Sequence, residues 1–109
     1  MPVGVSPALE YVDENRRTYT AELEWYLYFL KLRGTPDYPP GWIRVDQITT
    51  VKADRIVPDC GPAFFKVYVN INTLVAEVPT RNEADRLVRE ILKEVSMRLA
   101  ALHGAGRTA

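Results

Sequence analysis

Residues 80–103 read TRNEADRLVREILKEVSMRLAALH, and this stretch decides the fold. Thr80 and Glu83 have the spacing of a capping box, in which side chains at the start of a helix satisfy free backbone N–H groups. The apolar residues that follow recur at helical spacing and span about 140° of an ideal helix, which predicts an amphipathic helix that buries one face. Gly104 is expected to end the helix and to leave 104–109 flexible. The apolar stripe consists of Ala84, Leu87, Val88, Ile91, Leu92, Val95, Leu99 and Leu102.

A β-hairpin is predicted directly before this helix. Residues 64–71 and 74–78 are rich in β-branched and apolar side chains. A two-residue turn at Asn72-Thr73 would place Val67 opposite Val78 and would bring the apolar residues to one face, because side chains alternate along a strand. A threonine suits such a turn poorly, so a four-residue loop is an alternative. The hairpin provides a surface on which the helix can pack.

The middle of the chain contains further strand-like segments. Residues 42–52 are rich in Val, Ile and Thr, and their irregular apolar spacing predicts a bulge or tight bend at Asp46-Gln47. Residues 53–63, which contain two prolines and a glycine, are predicted to be a loop. Residues 25–32 are apolar or aromatic on both alternating faces. This pattern favours a central strand, although a buried helix has it too.

The first forty residues leave a choice open. A β-hairpin of residues 9–12 and 17–23 is favoured, whereas Ser6 and Pro7 are good start signals for a short helix over residues 7–15. Together, these patterns predict a single α+β domain over residues 1–109, with residues 1–7 flexible. Its expected architecture is a four- or five-stranded antiparallel sheet with a C-terminal amphipathic helix packed on one face.

The composition is that of an ordinary globular protein, with 47% hydrophobic and 26% charged residues. Fourteen basic and fourteen acidic side chains balance, so no overall field draws the chain to nucleic acid or to an anionic membrane. One cysteine, Cys60, excludes an internal disulfide and a multi-cysteine zinc site, and a reducing cytoplasm is the expected location. The sequence has no secretory signal and no run near the ~18 apolar residues that span a bilayer, so no membrane partner is expected.

Candidate catalytic groups are few and scattered. His103 lies where a cation favours the dipole of the helix C-terminus, and the carboxylate of Asp59 disfavours a thiolate at Cys60. The carboxylates are dispersed, and Asp46 is expected to shape the predicted bend through an Asx hydrogen bond. The sequence lacks a phosphate-binding glycine loop, a nucleophile elbow and a metal-ligand spacing. We therefore expect no cofactor, no metal and no catalysis, and a small enzyme with a carboxylate site is the least favoured alternative.

Two stretches have the composition of binding surfaces. In residues 16–33 basic and aromatic side chains interleave, as on sheets that stack nucleic-acid bases, but burial of the aromatics in the core explains the same pattern. The second stretch is the aromatic, proline-rich loop of residues 38–42, which is expected either to bind a protein partner or to cover the end of a sheet. The candidate partner-binding residues are Arg16, Arg17, Trp25, Tyr26, Tyr28, Tyr38 and Trp42.

The second part of the chain resembles a known family. Trp42-Ile-Arg-Val-Asp-Gln-Ile-Thr-Thr-Val51 is followed by the hairpin and by Val78-Pro-Thr-Arg-Asn-Glu-Ala84 at the start of the helix. This order, over residues 42–102, resembles the second half of pleckstrin-homology-like domains and similar small bacterial modules. The resemblance implies antiparallel strands that end in a helix, and binding of peptides, proteins or lipid head groups. The dense basic loop of phosphoinositide binders is absent from the sequence, so lipid binding is not carried over.

The sequence thus favours a small cytoplasmic protein-binding or regulatory module without catalytic activity. A sheet covered by one helix leaves its other face or an edge strand free, so a homodimer formed through strand pairing is one expected arrangement. The alternative is a single-stranded nucleic-acid-binding protein that uses an aromatic and basic sheet face. Added salt would separate the two, because it weakens nucleic-acid binding steeply and an apolar protein interface hardly at all.

Overall fold

The computed structural model describes residues 10–13, 16–34 and 40–107, with side chains up to residue 104. Within these ranges the chain forms eight β-strands, a 3₁₀ turn and one long α-helix. The elements are β1 (Glu10–Val12), β2 (Thr18–Thr20), β3 (Trp25–Tyr26), β4 (Phe29–Lys31), β5 (Trp42–Arg44), the 3₁₀ turn (Val45–Gln47), β6 (Val51–Ile56), β7 (Phe64–Val69), β8 (Thr73–Val78) and α1 (Arg81–Arg107).

The strands form three small antiparallel sheets, with strand orders β1-β2, β3-β4-β5 and β6-β7-β8. The predicted α+β class, with antiparallel strands and a C-terminal helix, is confirmed. The prediction of a single four- or five-stranded sheet is corrected, because the 3₁₀ turn at Val45–Gln47 separates β5 from β6 and ends the pairing there. This turn is the tight bend expected at Asp46-Gln47.

The main core lies between α1 and the β6-β7-β8 sheet. Leu23 and Leu30, from the chain before that sheet, are buried in the same apolar cluster. The cluster therefore joins the chain before that sheet to the helix layer. Its members with no exposed surface are Leu30, Val67, Val69, Ala76, Val78, Ala84, Leu87 and Ile91.

The helix departs from its prediction at two points. It continues through Gly104 to Arg107, because an exposed glycine in a helix costs only about 1 kcal/mol and does not by itself stop it. Leu92, assigned to the buried stripe, is 56% exposed. On a helical wheel Leu92 lies about 100° from the middle of the face formed by Ala84, Leu87 and Ile91, so it sits at the edge of the contact with the sheet.

Thr80 caps α1 as expected. Its Oγ1 accepts a hydrogen bond from the Glu83 N–H at 3.2 Å, and its hydroxyl donates to Glu83 Oε2 at 3.2 Å. We expect Thr80→Ala to lower the free energy of unfolding by about 1 kcal/mol, because the Glu83 N–H then loses its acceptor. Urea denaturation measures the change. Thr80→Ser, which keeps the hydroxyl, is the matched control, and an equal loss in both variants would contradict a capping role.

The β7–β8 hairpin has a different register from the predicted one. Val67 lies opposite Ala76, not Val78. Tyr68 then lies opposite Leu74, so β8 contains a bulge between these two pairs. The connection is the three-residue turn 70–72, in which Asn70 and Ile71 have φ of 53° and 78°. The side chain of Asn70 holds this turn, since its Oδ1 accepts a hydrogen bond from the Thr49 N–H at 2.7 Å. Val67, Val69, Ala76 and Val78 still face the core, but the bulge buries Val75 in place of Leu74, and Ile71 lies exposed in the turn.

The upstream segments also differ from their predictions. Residues 25–32 form neither a central strand nor a buried helix, because a turn at residues 27–28, with Leu27 at φ 51°, divides them into β3 and β4. The chain reverses direction at this turn, so that Trp25 pairs with Leu30 in an antiparallel hairpin and both side chains face inward. The loop predicted at residues 53–63 is shorter, because β6 continues to Ile56 and stops before Pro58.

The N-terminal hairpin is confirmed where the structure describes it, since β1 pairs with β2 in antiparallel register. The possible helix start at residues 6–7 lies outside the described residues. The hairpin lies beside β8, where Thr20 Oγ1 accepts a hydrogen bond from the Glu77 N–H at 3.4 Å. Arg33 N–H donates to the Leu74 carbonyl oxygen at 3.1 Å on the same edge. The outer edge of β8 is thus partly covered by earlier parts of the chain.

Candidate binding surfaces

The outward side of the β3-β4-β5 sheet carries large aromatic side chains. Tyr26 pairs with Phe29, and Trp42 pairs with Lys31 on the neighbouring strands. Directly opposed residues project to the same side of a sheet. Since Trp25 and Leu30 face the core, their strand neighbours Tyr26 and Phe29 point outward. Trp42 shares this outward side with Lys31. We call Tyr26, Leu27, Phe29 and Trp42 the aromatic face.

The aromatic face is open to solvent. Tyr26 is 65% exposed, Leu27 63%, Trp42 44% and Phe29 37%. The rings of Tyr26 and Trp42 meet edge to face with centroids 6.5 Å apart, which is a favourable aromatic geometry. A single exposed apolar residue needs no explanation, whereas a contiguous group of four on one small sheet is typical of an interaction surface.

The charged groups beside the aromatic face are paired with one another. Lys31 Nζ lies 3.5 Å from Glu24 Oε1, and Arg44 Nη2 lies 3.0 Å from Asp46 Oδ2. Asp46, the carboxylate that the sequence singled out, therefore sits in an ion pair with Arg44. The surface presents apolar area with locally balanced charge.

The other aromatic candidates from the sequence have different positions. Trp25 is partly buried against the core, and its Nε1 has no acceptor among the described residues. The guanidinium of Arg98 lies 4.8 Å from the Trp25 ring centroid and donates a hydrogen bond to the Leu27 carbonyl oxygen. This contact attaches the β3–β4 turn to α1 and positions the exposed Leu27. Tyr28 is half-buried, and Tyr38 lies outside the described residues.

Arg16 and Arg17 lie away from the aromatic face, in a separate polar cavity of about 440 Å³ that we call the arginine pocket. The interleaved basic and aromatic stretch therefore does not form one surface. Tyr26, Phe29 and Lys31 lie on the β3-β4-β5 sheet, whereas Arg16, Arg17, Tyr19 and Arg33 line the arginine pocket. The arginine pocket is lined by Arg16, Arg17, Thr18, Tyr19, Arg33, Cys60, Gly61, Pro62 and Glu77.

Glu77 is the central acidic group of the arginine pocket. Its Oε2 accepts a hydrogen bond from Arg33 Nε at 3.3 Å, and its Oε1 lies 3.6 Å from Arg17 Nη1. Arg33 Nη1 also donates to Glu10 Oε2 at 3.0 Å. The side chains of Arg33 and Glu77 are 17% and 14% exposed, so this network is largely removed from water.

Tyr19 and Cys60 complete the arginine pocket. Tyr19 is buried, and burial, followed by the nearby carboxylate of Asp13, raises the pKa of its hydroxyl. The hydroxyl therefore stays neutral at neutral pH. Cys60, which also lines the cavity, is a free and exposed thiol. His103 is exposed on α1 and does not line this cavity.

The structure does not gather the scattered carboxylates into a metal site: in the described ranges, no three His, Cys, Asp or Glu side chains lie close enough to hold an ion. The sequence reasoning missed Leu27 and Phe29 as members of the aromatic face. Their exposure depends on the turn at residues 27–28, and the one local signal was the unbroken apolar run, which a central strand explained equally well.

Comparison with known proteins gives no further assignment: no family model matches the chain, and no curated protein or solved structure is significantly similar to it. Of the part of the chain described, no helix is both long and apolar enough to cross a membrane. The aromatic face and the arginine pocket are therefore the surfaces from which a function can be inferred.

Proposed function

We propose that this chain is a small protein-binding module without catalytic activity, which acts in the cytoplasm and binds protein through the aromatic face. The observation that carries the proposal is the exposure of Tyr26, Phe29 and Trp42 on one side of the β3-β4-β5 sheet, with Leu27 exposed in the adjoining turn. Aromatic side chains are enriched among the residues that supply most of the binding energy at protein interfaces. The resemblance of residues 42–102 to pleckstrin-homology-like modules implies the same class of function.

A second copy of this chain is the partner to which we commit. The surroundings of the aromatic face carry both signs of charge, Lys31 with Glu24 and Arg44 with Asp46, so two copies can approach without a like-charge clash. Among the described residues, β5 and β6 are both edge strands that lack a partner on one side. The β6 strand carries the charged pair Lys52 and Asp54. Charged side chains discourage pairing at an edge strand, which favours association near β5.

Self-association tests the proposal directly. Light-scattering mass after size exclusion, at low and high protein concentration, should show a dimer whose fraction rises with concentration. Trp42→Ala should raise the dimer dissociation constant at least about tenfold, because it removes an aromatic group at the centre of the interface. Met97→Ala is the matched control, since Met97 is 53% exposed on α1 and lies outside the aromatic face. A monomer at every concentration would overturn the choice of a second copy as partner.

Single-stranded nucleic-acid binding is the second candidate, because Lys31 and Arg44 lie opposite the aromatic residues Trp42 and Phe29 on one sheet. Their pairing with Glu24 and Asp46 speaks against it, since a polyanion must displace these carboxylates. Fluorescence anisotropy of a labelled single-stranded oligonucleotide at low and moderate salt separates the candidates. Tight binding that falls steeply with salt, and that Trp42→Ala abolishes, would replace the protein-binding proposal.

A further inference from the structure

We propose that the arginine pocket is a binding site for a phosphate-class oxyanion, independent of the aromatic face. Arg16, Arg17 and Arg33 line one cavity, and Glu77 is the one acidic residue among the described residues of its lining. Arginine has a planar fork of N–H donors that matches phosphate and carboxylate oxygens. The cavity therefore combines the donors and the space that an oxyanion needs.

The chain presents Arg16 and Arg17 to the cavity through a tight turn. Arg16 N–H donates to the Asp13 carbonyl oxygen at 3.0 Å, and Arg17 N–H donates to Asp13 Oδ1 at 2.9 Å. Arg16 has φ of 63°, a backbone conformation that is costly for a residue with a side chain. A glycine would satisfy this turn at lower cost, so the arginine is not explained by the local geometry.

Arg17 is held in place by a contact with an aromatic ring, and its N–H donors remain available to a ligand. Its guanidinium lies 3.9 Å from the centroid of the Phe64 ring, a cation–π contact that restrains its position. Its ion contact with Glu77 is 3.6 Å long, and no side-chain hydrogen bond of Arg17 occurs with any residue that the structure describes. A ligand oxygen would thus meet a guanidinium whose one ion contact with a described residue is the long one to Glu77.

Arg33 has a different role. Its Nε, Nη1 and Nη2 donate to Glu77, Glu10 and the Thr18 carbonyl oxygen, so it is nearly satisfied within the protein. Arg16 is exposed, and none of the described carboxylates forms an ion pair with it. The pocket therefore contains one arginine, Arg33, that stabilises its wall through hydrogen bonds. The other two, Arg16 and Arg17, have N–H donors that a ligand can bind.

The charges around the arginine pocket favour an anion at its centre. In the part of the lining that the structure describes, Glu77 is the one acidic residue, whereas Glu10 accepts from Arg33 and Asp13 interacts with the Tyr19 hydroxyl and the Arg17 N–H. A volume of about 440 Å³ is within the range of small-molecule sites and exceeds what a bare phosphate fills. The shared chemistry is a phosphate group, either free or as the ester of a small molecule.

Amide chemical shifts of the ¹⁵N-labelled protein test this site. Inorganic phosphate and glycerol phosphate are titrated in parallel at constant ionic strength, with chloride as the reference. We expect saturable shifts at Arg17, Thr18, Cys60 and Gly61 with either phosphate compound and none with chloride. The tighter ligand identifies the source, because an ester that exceeds the free ion must gain contacts from its organic part.

Three variants make the test specific. Arg16→Ala and Arg16→Gly should each weaken phosphate binding about tenfold, through loss of charge-assisted hydrogen bonds. The glycine variant also removes the backbone strain, so an equal loss in both shows that the guanidinium matters and the fold does not. Arg55→Ala, which removes an exposed arginine of β6, should leave binding unchanged. Absence of saturable shifts, shifts that chloride reproduces, or an equal effect of Arg55→Ala would overturn the proposal.

Discussion

Replacing Leu87 by alanine should lower the free energy of unfolding by about 3–4 kcal/mol, one of the two largest effects we expect in this chain. Leu87 has no exposed surface and lies in the apolar cluster between α1 and the β6-β7-β8 sheet. The shorter side chain loses its transfer free energy and leaves a cavity that the sheet, held by its hydrogen bonds, fills only in part. Urea denaturation of the purified variant measures the change.

Leu92→Ala is the matched control, because it removes the same atoms from the same helix at a position that is 56% exposed. We expect this variant to cost less than about 1 kcal/mol, since most of its side chain already contacts water. Equal losses in the two variants would contradict the orientation of α1 on the sheet. The comparison thus tests the helix face directly, without reference to any ligand.

The local features of the fold could be predicted from the sequence. The Thr80 cap, the apolar stripe and the strands before the helix each depend on residues within a few positions of one another, and periodicity records such relations. Register depends on more distant contacts. The Asn70 side chain contacts residues 47–49 and fixes a three-residue turn, and this interaction spans more than twenty positions of the chain.

The division of the strands into three sheets could not be predicted from the sequence either. A turn at residues 27–28 needs a positive φ at Leu27, a residue that seldom adopts one, and Arg98 of the distant helix bonds the carbonyl oxygen of that same residue. Local propensity favoured a continuous strand because it contains no information about this tertiary contact. The exposed position of Leu27 and Phe29 follows from that turn.

Residues of the candidate sites could be predicted where local composition indicated them, but not where a site is assembled from distant segments. Tyr26 and Trp42 were named from composition, and the structure places them together on the aromatic face. Arg16 and Arg17 were grouped with these aromatic residues, whereas the structure places both arginines in the arginine pocket. Their pocket is completed by Arg33 and by residues 60–62 and 77, which come from separate loops and strands, so no spacing in the sequence could connect them.

Glu77→Gln should destabilise the fold by about 3 kcal/mol, the second large effect. Glu77 bridges Arg17 and Arg33, and its side chain is only 14% exposed. The amide keeps the size of the side chain but removes the charge, which leaves two guanidinium groups without their shared counter-ion. Arg33 is separated from Glu77 by 44 positions, so the pair connects the β1–β2 side of the molecule to β8. The free energy of unfolding in urea is the measured quantity.

Asp54→Asn provides the control, because the Lys52–Asp54 pair has side chains 46% and 45% exposed and should contribute no more than about 0.5 kcal/mol. A double-mutant cycle with Arg33→Met then isolates the coupling between Arg33 and Glu77, since the double variant leaves neither charge unpaired between them. If Glu77→Gln costs no more than Asp54→Asn, the network behaves as a solvated surface pair and contributes little to the fold. A large coupling would instead show that Glu77 holds the wall of the arginine pocket, so that an oxyanion must bind to Arg16 and Arg17 while the Arg33–Glu77 pair stays intact.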